Sequence, residues 1–511
     1  MADCPLNQKR MNILPLTIDW NALGALFDYD PKQPLLFSSA LFMFLFLAFT
    51  FVYGLLHKQQ TLRLLFVTLF SYYFYYKSSG TCFLLLLIVT ITDWLLGYAI
   101  GNARNEGQTR KARWFVALSC IVDLGLLAYF KYTNFLGSTF ASLAGWHFQT
   151  LDIVLPVGIS FYTFQSLSYT IDVYKGKVKP VCSFLDYAFF VSFFPLLVAG
   201  PIVKAHTFIP QIRRKVIISS TMLASGVAMI AVGLFKKAII SDYISLNFVD
   251  RIFDNPSLYS GIENLLGLYG YAVQIYCDFS GYSDMAIGIA ILLGFHVPLN
   301  FNNPYTSTSV SDFWRRWHIS LSTWLRDYVY IPLGGNRRGK VRTYINSLAT
   351  MLLCGLWHGA AFNFIIWGLL HGVAVAIHKF TSENIFHHDR HYVSRGWRRW
   401  GAVIVTFHFV VFCWMIFRMP DMDVCMVMLR KIFTELHPEL FFDIVSSYKE
   451  VFLLILLGLA SQWFPRQKTN RLVAILSRTN IIVHALVLIV VIYIVIQIKG
   501  SDLQPFIYFQ F

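Results

Sequence analysis

The sequence is poor in charged residues. Only 14% of its 511 residues are Asp, Glu, Lys or Arg, whereas 56% are hydrophobic and 17% are aromatic. A soluble domain usually carries about 25% charged residues, so a soluble fold of this composition would expose large apolar patches to water. The composition therefore excludes ordinary cytosolic and disordered proteins. It predicts an all-α protein that crosses a membrane several times.

Acidic residues are scarcer than basic ones. The chain has 27 Asp and Glu against 42 Lys and Arg, for a net charge of +15. In a soluble protein this excess would favour nucleic-acid binding, but here the basic clusters lie between apolar runs. Lys and Arg accumulate on the cytoplasmic loops of membrane proteins, where they face anionic lipid. We therefore expect a lipid bilayer as partner and no nucleic acid.

Several catalytic and metal-binding motifs are missing. The eight cysteines are scattered without a CxxC pair, which excludes a zinc ribbon and a disulfide framework. The sequence also has no P-loop, no HExxH, no GxSxG and no dinucleotide-binding glycine fingerprint. We predict no metal site and no bound cofactor.

Long apolar runs indicate the architecture. The first, Phe37–Leu56, holds 20 uncharged residues and is long enough to span a bilayer as a helix. We expect about 11 transmembrane helices plus re-entrant helices. Residues 1–36 are predicted to be an extracytoplasmic or interfacial extension, and residues 37–511 a single membrane domain with its catalytic core at about 151–380. The further candidate spans are 62–77, 81–100, 114–130, 151–173, 184–203, 219–240, 263–277, 284–299, 343–357, 360–378, 400–417, 448–464 and 480–498.

Basic loops predict the orientation. His57–Arg63 and Gly101–Arg113 are basic and should be cytoplasmic, whereas the nearly neutral stretch Lys131–Thr150 should face outward. Two later basic connections are separated by Phe184–Val203, a run interrupted by proline and glycine, which predicts a segment that dips into the membrane and returns. The last span then places residues 499–511 at the outer face.

The longest stretch without Asp, Glu, Lys or Arg is Thr343–His378, and Trp357-His358-Gly359 lies near its middle. An ionisable side chain at this depth is costly and points to function. A neutral imidazole there can accept a proton near neutral pH. A structural histidine, hydrogen-bonded between packed helices, is the alternative.

The segment Asp312–Arg342 is basic and rich in tryptophan. Its apolar residues recur at spacings of three and four, which predicts one helix with one apolar stripe: Trp314, Trp317, Leu321, Trp324 and Tyr328. His318 can share the face of Trp314. The segment is either a lipid-headgroup anchor or a lip that binds an anionic, phosphate-bearing donor. The candidate donor-binding residues are Arg315, Arg316, Trp317, Asn336, Arg337 and Arg338.

A third polar region lies within the apolar stretch Tyr271–Gly288, where Asp278, Ser280 and Asp284 form a cluster. Buried carboxylates need partners, which we expect from the basic segment Asp312–Arg342. A structural role is the favoured interpretation of the cluster.

With these residues in view, the sequence resembles the membrane-bound O-acyltransferase superfamily, most of all its bacterial alginate O-acetyltransferase branch. The strings that carry the resemblance are FYTFQSLSYTIDVYKG (161–176), FFPLLVAGPI (193–202), YCDFSGYSDMAIG (276–288), FWRRWHISLSTWLRDYVYIPLGGNRRG (313–339) and LCGLWHGAAFNFIIWGLLHG (353–372). The resemblance covers roughly residues 37–511. It implies a ring of tilted helices around a central funnel, with His358 as the catalytic base and His318 as the second polar position.

The implied reaction moves an acetyl group from cytoplasmic acetyl-CoA to an extracytoplasmic polysaccharide at the bacterial inner membrane. A thioester is already activated, so a base and a site for oxyanion charge suffice. His358 would deprotonate the acceptor hydroxyl, while His318 would polarise the carbonyl or orient the donor. The expected partner is a periplasmic SGNH-type acetyltransferase, and the polymer stays open among alginate, cellulose, peptidoglycan and other exopolysaccharides. A transporter or flippase, or a non-catalytic scaffold of a polysaccharide complex, are the competing functions.

The chain ends in FIYFQF, which matches an FxYxxF pattern. Its resemblance to a tyrosine motif of D-alanyl transfer systems implies that Tyr508, in the tail 499–511, is a transient acyl acceptor. A phenol is inert without a neighbouring base. Aromatic anchoring at the membrane interface is the alternative.

Overall fold

Helices build the part of the chain that the computed structural model describes, which is residues 24, 26–31, 34–387, 394–464 and 466–498. This part contains no β-strand. Helices satisfy every internal backbone hydrogen bond within one segment, which an apolar chain needs in lipid. The first helices are α1 (Ala40–Leu55), α2 (Gln60–Ser79), α3 (Phe83–Asn105), α4 (Thr109–Ala144), α5 (Ile159–Tyr174), α6 (Phe184–Ser192), α7 (Phe194–Leu197), α8 (Ala205–Ile212), α9 (Ser220–Leu234), α10 (Asp242–Ile244) and α11 (Asp250–Asp254).

The second half of the chain holds the functional candidates. Its helices are α12 (Gly261–Leu292), α13 (Val310–Trp314), α14 (Ile319–Leu325), α15 (Lys340–His358), α16 (Phe362–Phe380), α17 (Gly396–Arg418), α18 (Met422–Thr434), α19 (Phe441–Ser447), α20 (Lys449–Ser461), α21 (Arg466–Leu476) and α22 (Ile481–Ile498). Short π-helical turns occupy Phe235–Ser241, Ser245–Val249, Arg326–Tyr330 and Thr381–Ile385. Short 3₁₀ turns occupy Gly80–Cys82, Pro256–Leu258, Pro304–Thr306 and Pro438–Leu440.

Five helical segments of the described chain are long and apolar enough to cross a membrane: Gln60–Asn105, Thr109–Ala144, Ser220–Asp254, Phe362–Ile385 and Gly396–Arg418. Two shorter apolar helices, Ala40–Leu55 and Ile481–Val495, lie near the two ends. An all-helical, multi-pass architecture is thus confirmed. The count of about 11 transmembrane helices stays a prediction.

The prediction of separate spans at 263–277 and 284–299 is wrong, because one continuous helix, α12, runs through the first and into the second, and it ends at Leu292. Ser260 and Glu263 form a capping box at its start. Glycines on α9 and α12 let the two backbones touch: a methyl group on Gly281 would lie 2.7 Å from the carbonyl oxygen of Gly233. The close packing gives the polar residues of α12 partners inside the protein, so the helix continues through them.

Two other predictions concern broken segments. Residues 184–203 are not one helix, since α6 ends at Ser192 and the short α7 begins at Phe194 with Pro195 in its first turn. The helix is thus interrupted there, while the dip into the membrane and the return stay a prediction. The prediction of a single helix with an apolar stripe in Asp312–Arg342 is wrong, because the helix is interrupted between α13 and α14.

The break occurs at His318, whose φ of 43° is in the left-handed region. The stripe residues do not lie at an interface either: Trp317 and Leu321 are 1% and 0% exposed. The ring of Trp324 stacks on Phe164 of α5 with 3.8 Å between centroids. The aromatic rings gain more contact by packing inside the protein than along one helix face, and the backbone turns to allow it.

Candidate active site

His358 is the last residue of α15, at the tip of the hairpin that α15 forms with α16. It is 4% exposed. The helix ends because Gly359 adopts an extended backbone. A side chain at Gly359 would collide with the ring of Phe364, 2.0 Å from the Cβ position, so the tight tip requires glycine. The carbonyl groups of the last turn of α15 consequently need donors from elsewhere.

Those donors come from α4. The Lys131 ammonium donates to the carbonyl oxygens of Trp357 (2.6 Å) and His358 (2.9 Å). The Tyr132 hydroxyl donates to the carbonyl oxygen of Leu356 at 2.5 Å. A cation at a helix C-terminus also meets the negative end of the helix dipole. Together these two side chains hold the His358 tip against a helix more than 220 residues earlier in the chain.

The sequence pattern groups Lys131 with the neutral stretch Lys131–Thr150. The structure instead places it within α4, aimed inward at α15. In the sequence, Lys131 is a single lysine at the end of an apolar run. This position indicates a cation that is buried, but it does not identify the group that the cation contacts.

His318 lies in the break between α13 and α14 and is fully buried. Its ring contacts Phe279 edge-on with 4.7 Å between centroids. Its Nδ1 is 3.2 Å from Oδ1 of Asn300, a residue that the sequence reasoning missed. In the described residues, no group hydrogen-bonds to Nε2 of His318.

The structure brings His318 and His358 into one buried cluster around an indole. The ring of Trp357 lies 5.8 Å from that of His318 and 5.0 Å from that of His358, between centroids. The sequence singled out His318 and His358 in two separate segments, and packing places both against this one ring.

A third histidine, His371 of α16, belongs to the same cluster and was missed. It is 0% exposed. Its Nδ1 lies 3.2 Å from the indole Nε1 of Trp314. The ring of Trp367 contacts both His371 and His358, with centroid distances of 4.7 Å to His371 and 5.1 Å to His358. The signal that could have found it is the one used for His358, because both lie in the charge-free stretch.

The candidate donor-binding residues are a pair of arginines of which only Arg315 is exposed, the buried Trp317, and an exposed group in a later turn. Arg316 donates to Asp312 at 3.0 Å, and the 73%-exposed side chain of Arg315 lies 3.8 Å from the same carboxylate. Trp317 is buried, stacked on Phe313 at 5.6 Å between centroids. The exposed group lies in the turn that follows Arg326–Tyr330, and it comprises Asn336, Arg337 and Arg338.

The polar cluster of α12 finds its partners in the π-helical turn Phe235–Ser241. Lys237 lies 2.6 Å from Asp278 and 2.7 Å from Asp242, and Lys236 lies 2.7 Å from Asp284. The expectation that the segment Asp312–Arg342 supplies these cations is therefore wrong. Both lysines lie directly after the end of α9, and because α9 packs against α12 they lie next to these carboxylates. Ser280 lies between them, with 0% exposure.

A cavity of about 490 Å³ opens beside the hairpin tip. Four of its lining residues lie on one face of α4, at positions that continue from Lys131 in helical steps. The amide of Asn363 donates to the carbonyl oxygen of Met419 at 2.9 Å, while its Oδ1 has no partner in the described chain. The cavity is lined by Phe135, Ser138, Thr139, Ser142, Ala361, Phe362, Asn363, Pro420, Asp421 and Met422. We call it the tip cavity.

Residues 499–511, with Tyr508, lie outside the described residues, and so does most of the segment 1–36. The relay role of Tyr508 stays a prediction. Within the described ranges, no three His, Cys, Asp or Glu side chains are grouped in a way that could hold a metal ion.

The fold and the site define a class: a multi-pass helical membrane protein with a buried histidine cluster at a hairpin tip. A sequence model of the membrane-bound O-acyltransferase family matches residues 179–419, which contain all three histidines. The chain belongs to this family, as the relatives below establish, and it is an acyltransferase.

Three relatives show how far the similarity extends. The probable alginate O-acetylase AlgI of Pseudomonas aeruginosa is 40% identical over 406 residues, 78% of this chain and 75% of that protein. The protein of the same name from Pseudomonas putida is 36% identical over 503 residues, 93% of this chain and 100% of its own length. The peptidoglycan O-acetyltransferase of Helicobacter pylori is 36% identical over 433 residues, 78% of this chain and 79% of that protein. The resemblance read from the strings is thereby confirmed.

Proposed function

We propose that this acyltransferase moves an acetyl group from cytoplasmic acetyl-CoA to a hydroxyl of an extracytoplasmic polysaccharide at the bacterial inner membrane. The observation that carries the proposal is the buried cluster in which His358 and His318 both contact the ring of Trp357. The names of the relatives, which contain alginate and peptidoglycan, support a polysaccharide as the final acceptor. The ring of about 11 helices around a funnel is part of the same proposal.

The chemistry at this site needs no metal. The acceptor oxygen attacks the thioester carbonyl carbon while His358 takes the hydroxyl proton. The tetrahedral intermediate collapses, the carbon–sulfur bond breaks, and the departing CoA thiolate receives that proton. A general base of this kind contributes about 10²–10⁴-fold in rate. Burial among aromatic rings excludes water, which would otherwise hydrolyse the thioester.

The donor and acceptor sides follow from the charge distribution. The basic side chains of the exposed Arg315, Arg337 and Arg338 and of the half-buried Arg316 would bind the CoA phosphates. The tip cavity would admit the acceptor, because the basic loops predict that its α4 wall faces outward. We propose that the immediate acceptor passes the acetyl group to a periplasmic SGNH-type partner, with Tyr508 as the relay.

The decisive experiment uses the purified protein in lipid nanodiscs with a small acceptor alcohol and acetyl-CoA whose acetyl group carries the label. The wild type should release free CoA and label the acceptor or its own chain. His358→Ala should abolish both while inserting and folding normally. His57→Ala, which alters an exposed histidine of a basic loop, is the matched control and should keep full activity.

The result also separates the competing functions. A transporter or flippase would move labelled acetyl-CoA or a sugar without releasing CoA. A non-catalytic scaffold would do neither. Acetyl transfer that survives in His358→Ala would refute the proposal.

A further inference from the structure

We infer that Asn300 and Trp314 are positioning residues of acyl transfer, which hold His318 as a hydrogen-bond acceptor and His371 as a hydrogen-bond donor at Nε2. The inference rests on the proposed function for its role in catalysis. The two tautomers themselves follow from hydrogen-bond geometry alone.

The first tautomer is set by Asn300. Its Oδ1 lies 3.2 Å from the backbone nitrogen of Ser320 and 2.9 Å from the Ser320 hydroxyl, while its Nδ2 donates to Ser283 at 3.2 Å. A backbone N–H can only donate, so the amide atom that faces it must be the oxygen. His318 Nδ1 faces the same oxygen at 3.2 Å and must therefore carry a hydrogen. A neutral imidazole with its hydrogen on Nδ1 has its lone pair on Nε2.

The second tautomer is set by Trp314. An indole Nε1–H is a donor and never an acceptor. It lies 3.2 Å from Nδ1 of His371, so that nitrogen must accept and the hydrogen of the neutral ring is on Nε2. His371 is fully buried, and in the described chain its Nε2 has no partner. A buried N–H without a partner is costly, which favours a ligand or substrate oxygen as the missing acceptor.

Both rings belong to the cluster around His358. One indole, Trp357, contacts both His318 and His358, and another, Trp367, contacts both His371 and His358. Acyl transfer needs a group that accepts a proton and a group that donates to the carbonyl oxygen as negative charge develops. His358 meets the first need, and His318, whose only hydrogen is directed at Asn300, can accept a hydrogen bond beside it but cannot polarise the carbonyl. His371 meets the second need.

Nitrogen-15 histidine NMR of the labelled protein in lipid bilayers tests the tautomers without any assay of activity. His318→Gln and His371→Gln assign the two signals by their loss. We expect the hydrogen on Nδ1 in His318 and on Nε2 in His371. In Trp314→Phe the constraint on His371 disappears, and its signal should shift toward a mixture of tautomers. The opposite tautomer at either histidine of the wild type would overturn the inference.

Kinetics test the catalytic role. Asn300→Leu removes the acceptor and should lower kcat by about 10²-fold or more while leaving KM for acetyl-CoA unchanged. Asn300→Asp keeps an oxygen opposite Nδ1 and should restore most of kcat. A merely structural Asn300 would lower the yield of folded protein in both variants and leave kcat per folded molecule intact, which would refute the positioning role. If the tautomers are as inferred but the wild type transfers no acetyl group, the proposed function fails and the hydrogen-bond assignment stands.

Discussion

Replacement of Lys131 by methionine should lower kcat strongly while the protein stays folded. The ammonium makes two hydrogen bonds, at 2.6 and 2.9 Å, to the last carbonyl groups of the helix that ends in His358. The methionine side chain is nearly as long as the lysine stem and apolar, so it fills the space but donates no hydrogen bond. The substitution therefore isolates the loss of the two hydrogen bonds and of the charge.

The magnitude follows from the groups left behind. A hydrogen bond to a charged group contributes about 1.5–3 kcal/mol, and a cation at a partly buried helix C-terminus adds up to about 2 kcal/mol. These contributions overlap, so we expect Lys131→Met to weaken the attachment of the hairpin tip to α4 by about 3–5 kcal/mol. Because the contacts are confined to the hairpin tip, the loss should loosen the tip first. A displacement of the His358 ring by about 1 Å would lower kcat about 10²-fold.

The assay is steady-state CoA release in nanodiscs, together with a thermal melt in detergent. Lys131→Met should lower kcat about 10²-fold and leave KM for acetyl-CoA within about threefold. Tyr132→Phe removes one neutral hydrogen bond, worth about 0.5–1.5 kcal/mol, and should cost at most about tenfold. Lys111→Met, at an exposed position of the same helix, is the matched control and should behave as the wild type. A wild-type kcat in Lys131→Met would refute the idea that this lysine holds the tip.

Three further predictions concern other parts of the chain. Lys237→Met should remove the cation that two buried carboxylates share and destabilise the fold by about 3–5 kcal/mol, measured as a large drop in melting temperature; an unchanged melt would show that the Lys237 ion pairs contribute little. Arg337→Gln combined with Arg338→Gln should raise KM for acetyl-CoA without changing kcat, and an unchanged KM would remove this turn from the donor site. Tyr508→Phe keeps the aromatic ring but removes the nucleophile, so it should abolish transfer to the polymer; normal polymer acetylation would exclude the relay.

Local patterns in the sequence were enough to predict the helical hairpin that carries His358. The spans 343–357 and 360–378 correspond closely to α15 and α16. A charge-free apolar stretch has few alternatives to helix in lipid, and a glycine between its halves allows the turn. The same reasoning located His358, because an ionisable residue among apolar ones is visible without any knowledge of packing. His318 lies in a basic segment, and its role was implied by the family resemblance.

Other features depended on which helices pack together. The helix predicted for Asp312–Arg342 breaks at His318, since the aromatic rings pack against other helices instead of along one face. The cations for Asp278 and Asp284 come from Lys236 and Lys237 instead of the neighbouring basic segment. Periodicity and charge count describe one segment at a time, and neither detects a partner on a distant segment.

The sequence by itself determined that this protein is a helical, multi-pass membrane acyltransferase, and it singled out two histidines as the candidates for its site. Composition, span length and family strings are local properties, and they survive any rearrangement of the helices. Only the tertiary structure decided that Lys131 caps the His358 helix, that Asn300 and Trp314 orient two imidazoles, and that His371 joins the site. These are hydrogen bonds of about 3 Å between distant segments, and such contacts exist only once the helices have packed.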